Sequence, residues 1–107
     1  MLSTAIKYLD AFEKKDISAI REVFDGNVNL RDWEVSASGI DSALATTAQI
    51  FSSAQTISIR IINISQSEDL VFVELDITIN NNSPVHVVDV ITFNSVGKIC
   101  SIRGFRG

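Results

Sequence analysis

Four β-rich segments fill the second half of the chain with almost nothing between them, and that pattern leaves few folds open. Ile57 to Ile64, Leu70 to Ile79, Val85 to Phe93 and Ile99 to Phe105 are dense in Ile, Val, Thr and Phe, whose branched or flat side chains suit a pleated surface. The separators Gln66-Ser67-Glu68, Asn80 to Pro84 and Asn94 to Lys98 are turn-forming and short enough for hairpins. Strands joined in this way predict an antiparallel meander.

The first half has a different period. Leu2, Ala5, Ile6, Leu9 and Phe12 recur every three or four residues, the spacing of a helix with one apolar stripe. Asp16 then opens a short second helix carrying Ile17, Ile20 and Phe24, so the two helices meet in a corner. Asp25-Gly26-Asn27 is turn chemistry, after which Val28, Leu30 and Asp32 share one side of a short strand. Ser38-Gly39 breaks that segment, and Ile40, Leu44, Thr47, Ala48 and Phe51 predict a third helix ending near Ser53, with Ser38 or Asp41 available to cap it. Helices first and strands last predict an α+β domain: three N-terminal helices packed on a strongly curved antiparallel sheet whose concave face is a pocket. With 107 residues of uniform character, residues 1–107 read as a single domain.

Two carboxylates interrupt apolar faces. Val85, Val87, Asp89, Ile91 and Phe93 alternate onto one face of a strand, so Asp89 occupies a place where the pattern calls for a core residue. An unpaired acid there is favoured in its neutral form, which donates a hydrogen bond; pairing with Arg60 or Arg103, or with backbone at a bulge, is the structural alternative. Asp32 repeats the situation at the end of the first strand, with turning into solvent or capping the next segment as its alternative. Tyr8 lies at the helical spacing of Ala5, Leu9 and Phe12, so its ring joins the packed face and its hydroxyl needs a partner inside. Trp33 has the opposite parity to Asp32 and reads as a rim, dimer-contact or loop-anchoring aromatic. The other face of the Asp89 strand, His86, Val88, Val90, Thr92 and Asn94, is the outward one, and its apolar centre predicts a homodimer through the outer sheet face.

Several function classes are disfavoured. A net charge of −4 argues against nucleic-acid binding, which needs clustered cations; Lys14-Lys15 falls where the first helix ends and suits its dipole. No apolar run approaches a membrane span, and the start lacks the pattern of an export leader, so a cytoplasmic location is expected. Cys100 and His86 are the only residues of their types, which precludes an internal disulfide and supports no metal site.

Taken together, Y-L-D-A-F-E-K-K-D at residues 8–16, N-L-R-D-W at 29–33 and V-V-D-V-I-T-F-N-S-V-G-K-I-C-S-I-R at 87–103 resemble the ketosteroid isomerases, of the SnoaL-like and NTF2-like group, over nearly the whole chain. The resemblance implies a cone-shaped NTF2-like fold and a role for each candidate. Tyr8 is the tyrosine that hydrogen-bonds the substrate oxygen, Asp89 the protonated acid beside it, and Asp32 the general base. The sequence departs from the family's pattern in the short interval between Asp32 and Gly39, in Trp33 where a proline is usual, and in ending just after the last strand, which predicts a more open cavity. The function implied is a cofactor-independent isomerase shifting the double bond of an apolar unsaturated ketone, of which a steroid is only the family's emblem. A SnoaL-like cyclase, dehydratase or hydrolase needing Asp32 but not Asp89 is an alternative, as is a non-catalytic module that binds a small apolar ligand or dimerises.

Overall fold

A computed structural model describes residues 1–107. Three helices, α1 (Leu2–Glu13), α2 (Ile17–Val23) and α3 (Ile40–Ser53), accompany six strands, β1 (Phe24–Arg31), β2 (Ser36–Ser38), β3 (Ile57–Ser67), β4 (Leu70–Ile79), β5 (Val85–Phe93) and β6 (Ile99–Arg106). The strands form one sheet in the order β2-β1-β6-β5-β4-β3. The α+β architecture and the β3–β6 meander are as expected, with antiparallel pairing throughout those four strands. Register breaks between Ile61 and Asn63 in β3 and between Thr92 and Phe93 in β5 mark the irregularities that bend such a sheet. Its concave face receives the helices: Ala5, Leu9, Ala43, Leu44 and Phe51 are buried with Val71, Val73, Leu75, Val87 and Ile91.

The first half of the chain joins the sheet differently from what its sequence suggests. Asp25-Gly26-Asn27 does not precede the strand but lies within it, and Phe24 begins β1 instead of ending α2. β1 runs parallel to β6, with Phe24 beside Ile99 and Leu30 beside Ile102, and the register slips between Phe24 and Asn29. The turn-prone triplet is absorbed by that slip: Asp25 accepts the Asn27 N–H and an Asn94 side-chain N–H. The unforeseen β2 folds back on β1, pairing Ser36 with Arg31 and Ser38 with Asn29. That tight return accounts for the short interval between Asp32 and Gly39.

Local chemistry fixes the helices. Asp16 caps α2 by accepting the Ala19 N–H at 3.1 Å. Gly39, with φ of 86°, stands at the α3 N-cap where Ser38 or Asp41 was expected, and no side chain caps that end. Lys14 pairs with Asp10 one turn back. Lys15 instead donates to the carbonyls of Ala54, Gln55 and Phe51, so the cation at the end of α1 serves the C-terminal carbonyls of α3. On α1 the buried stripe is Ala5, Tyr8, Leu9 and Ala11, while Leu2 and Ile6 are exposed.

Candidate active site

The sheet register builds one wall of a cavity from three strands. Asp89 of β5 lies directly opposite Gly104 of β6. On the other side of β6, Arg31 pairs with Arg103 at the end of β1, which brings the next residue, Asp32, alongside Gly104. One acid on β5 and one just past the end of β1 thus meet over a residue without a side chain. A Cβ at position 104 would lie 3.2 Å from Asp89 Oδ1, 3.2 Å from Asp32 Cβ and 3.7 Å from the Trp33 ring. Both acids can occupy this wall because nothing projects between them.

Helix α1 supplies the opposite side. Tyr8, Leu9 and Phe12 line the cavity, together with Thr47 and Ile50 of α3 and Ile59, Leu75, Ile77, Val87 and Ile102 of the sheet. The Tyr8 ring is held by Phe24 at 5.7 Å and Phe12 at 6.1 Å between centroids, and Glu13 accepts the Ile59 N–H at 2.6 Å, tying α1 to β3. The cavity measures about 120 Å³, and twelve of its eighteen lining residues are hydrophobic. Tyr8, Asp32 and Asp89 all line it.

Their surroundings differ. Asp32 follows β1 in a side-chain turn: Oδ1 accepts the N–H groups of Glu34 and Val35, each at 2.7 Å, and its own N–H donates to the Val35 carbonyl. The capping alternative and the pocket position therefore coexist, since these bonds engage Oδ1 and leave Oδ2 without a protein donor. Asp89 has no ion-pair partner; Arg60 is paired with Asp76 instead, and Arg103 pairs with nothing. Burial in the apolar cavity, and secondarily the charge of Asp32, push the Asp89 carboxyl up to about 7. Burial, then the charges of Asp89 and Asp32, keep the Tyr8 phenol protonated beyond the ordinary tyrosine range. No buried side-chain N or O atom lacks a partner, so the Tyr8 and Asp89 oxygens, which bond to no protein group, must open onto the cavity. The arrangement offers one phenol O–H donor, an acid biased toward its neutral, donating form, and a third group, Asp32, with a free oxygen.

Sequence reasoning missed Gly104, whose signal was a lone glycine inside a β-rich run. Trp33, 44% exposed, is at the rim, but the parity that set it on the opposite face from Asp32 does not hold: both residues lie past the end of β1, and the Trp33 ring lines the same cavity wall at Gly104 as Asp32. No group of three or more His, Cys, Asp or Glu is arranged to hold a metal ion, and no helix is long and apolar enough to cross a membrane.

Comparison with known proteins bears on this fold and site together. The family model of the SnoaL-like domain matches residues 5–102, a span that contains all three candidates. No curated protein matches the chain in sequence. Among solved structures it resembles an NTF2-like protein of unknown function from Cytophaga hutchinsonii, at TM-score 0.82 and 10% identity over 97% of this chain and 87% of that one. A candidate polyketide cyclase from Sinorhizobium meliloti superposes at TM-score 0.85 with 18% identity, covering 95% and 93% of the two chains. A candidate ketosteroid isomerase from Kribbella flavida does so at 0.84 with 11% identity, covering 98% and 76%. At these identities the likeness carries the NTF2-like fold and not an activity.

Proposed function

We propose that this chain, which belongs to the SnoaL-like domain family, is a cofactor-independent isomerase that moves the double bond of a small apolar β,γ-unsaturated ketone into conjugation. The observation that carries the reading is the pair Asp32 and Asp89 flanking Gly104 in one cavity, one acid with a free carboxylate oxygen and the other biased toward its neutral form. Asp32 removes the proton from the carbon between carbonyl and alkene, and the electron pair moves onto the carbonyl oxygen as a dienolate. Tyr8 and Asp89 donate hydrogen bonds to that oxygen. Asp32 then returns the proton to the γ-carbon, so the product is an isomer and the enzyme is restored.

Cavity size narrows the substrate. About 120 Å³ is close to the roughly 150 Å³ that accommodates a benzene ring in a protein interior, which fits a single ring or short chain with any remainder at the mouth. The cyclase reading uses Asp32 without Asp89 and gains nothing from the raised affinity of Asp89 for its proton. A second part of the proposal is homodimerisation through the outer sheet face, where Phe105 is 53% exposed beside Val88; size-exclusion of wild type and Phe105→Glu checks it, a single monomer peak for both contradicting it.

The test is turnover of β,γ-unsaturated ketones of increasing size, followed by absorbance of the conjugated product. Single-ring ketones should react, and Asp32→Asn, Asp89→Ala and Tyr8→Phe should each slow them. Loss with Asp32→Asn alone would favour the cyclase class, and full activity in Asp32→Asn would remove the assignment of the base.

A further inference from the structure

We propose that an anion-binding cleft formed by Arg31, Arg103 and Arg106 adjoins the cavity and receives a carboxylate or phosphate group carried by the tail of the substrate. The cleft, of about 500 Å³, is lined by these three arginines with Asp32, Trp33, Gly104 and Phe105. Arg31, Asp32, Trp33 and Gly104 also line the cavity, so one molecule can occupy both.

The basic residues there outnumber the single acid, Asp32. Three of the chain's nine basic residues line this cleft in a protein of net charge −4. None of the three forms an ion pair or a side-chain hydrogen bond: the cationic partners in ion pairs are Lys14, Arg60 and His86. Arg31 and Arg103 are in register on neighbouring parallel strands, an arrangement in which like charges repel. The only acid lining the cleft is Asp32, whose Oδ1 is committed to the Glu34 and Val35 N–H groups. Arg106 lies over the Trp33 ring, 6.0 Å from its centroid, which orients a guanidinium at the boundary between cleft and cavity. Unpaired forked cationic donors match the geometry of a carboxylate or phosphate.

The substrate class this implies is an acidic ketone, with the ketone in the cavity and the anion in the cleft. That identification rests on the isomerase reading, whereas anion binding does not, and the experiment keeps them apart. Calorimetry at low salt compares 4-hydroxyphenylacetate with its neutral amide, whose phenol ring suits the cavity, and measures acetate and inorganic phosphate alone. The acid should bind about tenfold more tightly than the amide, the equivalent of one charge-assisted hydrogen bond. The preference should vanish in the Arg31→Gln/Arg103→Gln double variant, survive in part when both are replaced by Lys, and collapse in high salt. Phosphate binding above acetate would point to phosphorylated substrates, and the reverse to carboxylic acids. Equal binding of acid and amide by wild type, persistence of the preference in the Gln variant, or no response to either simple anion overturns the cleft. Anion binding without turnover of any ketone would leave the cleft standing and remove the isomerase.

Discussion

Asp89 and Asp76 sit on neighbouring strands of one sheet, yet their environments are opposite. Asp76 points outward from β4, where it accepts from Arg60 at 2.7 Å and lies 2.9 Å from His86 Nδ1. His86 Nε2 is in turn 2.9 Å from Glu74, and Asn63 donates to Glu74. The His86 and Arg60 bonds hold the Asp76 carboxyl below its usual range, and Asp76 first, with Glu74, holds His86 above its own. Asp89 points inward, has no partner, and is pushed the other way. The same residue type is thus neutralised by neighbours on the solvent side and left exposed to an apolar cavity on the other. An unpartnered acid stands where a Val or Ile would fit the strand pattern, the kind of local cost that clusters at functional sites.

The largest effect that could break this contrast is on turnover. Asp32→Asn should lower the rate on a single-ring β,γ-unsaturated ketone by about a thousandfold, while Asp76→Asn leaves it unchanged; equal losses would mean that the inner face has no special role. Gly104→Ala should come next. Its methyl would stand 3.2 Å from both acids, and displacing them should cost roughly 1–3 kcal/mol in stability and about tenfold or more in rate, measured by urea unfolding and initial velocities.

The third effect is on stability against pH. Folded Asp89 keeps its proton up to about pH 7, whereas the group's ordinary value is 3.8, so between these values the folded state binds more protons and loses stability as pH rises. Asp89→Asn should therefore stabilise the protein by about 2 kcal/mol at pH 8, allowing for the openness of the site to the cavity, and by almost nothing at pH 4. The alkaline limb of the wild-type rate profile, falling through about pH 7, should flatten in the same variant. The outer network runs in the opposite sense. The His86 contribution is complete below 6.5 and fades as pH rises through its elevated value, and that of Asp76 is present above 3.8 and fades as pH falls through its lowered value. Since His86 is the sole histidine, its ring proton resonance should titrate above 6.5 and move down in Asp76→Asn, the smallest of the four effects.

Much of the site was legible because it breaks a pattern. Asp89 stood out against Val87, Ile91 and Phe93 by strand alternation, and those neighbours are indeed buried. Tyr8 followed from the helical period, which also misplaced Ile6 on the buried stripe, because a three-to-four spacing fixes a stripe only to within one residue of rotation. Other features depend on partners far along the chain. Ser36-Ala37-Ser38 has no strand propensity of its own and becomes β2 only by pairing with β1. The parallel β1–β6 pair joins residues some seventy apart, which no local spacing reveals, and Gly104 acquires its meaning only from the acids that this pairing brings to either side. The arginine cleft was invisible for the same reason: Arg31 and Arg103 are neighbours in the sheet alone.

The division of labour between the two inner acids is open to direct observation by carboxyl carbon NMR of the protein with labelled aspartate, titrated from pH 3 to pH 9 and assigned with Asp89→Asn. The Asp89 signal should titrate near pH 7 and move lower when Asp32→Asn removes the neighbouring charge. An Asp89 signal that titrates near 3.8 and ignores Asp32 would rule that division out.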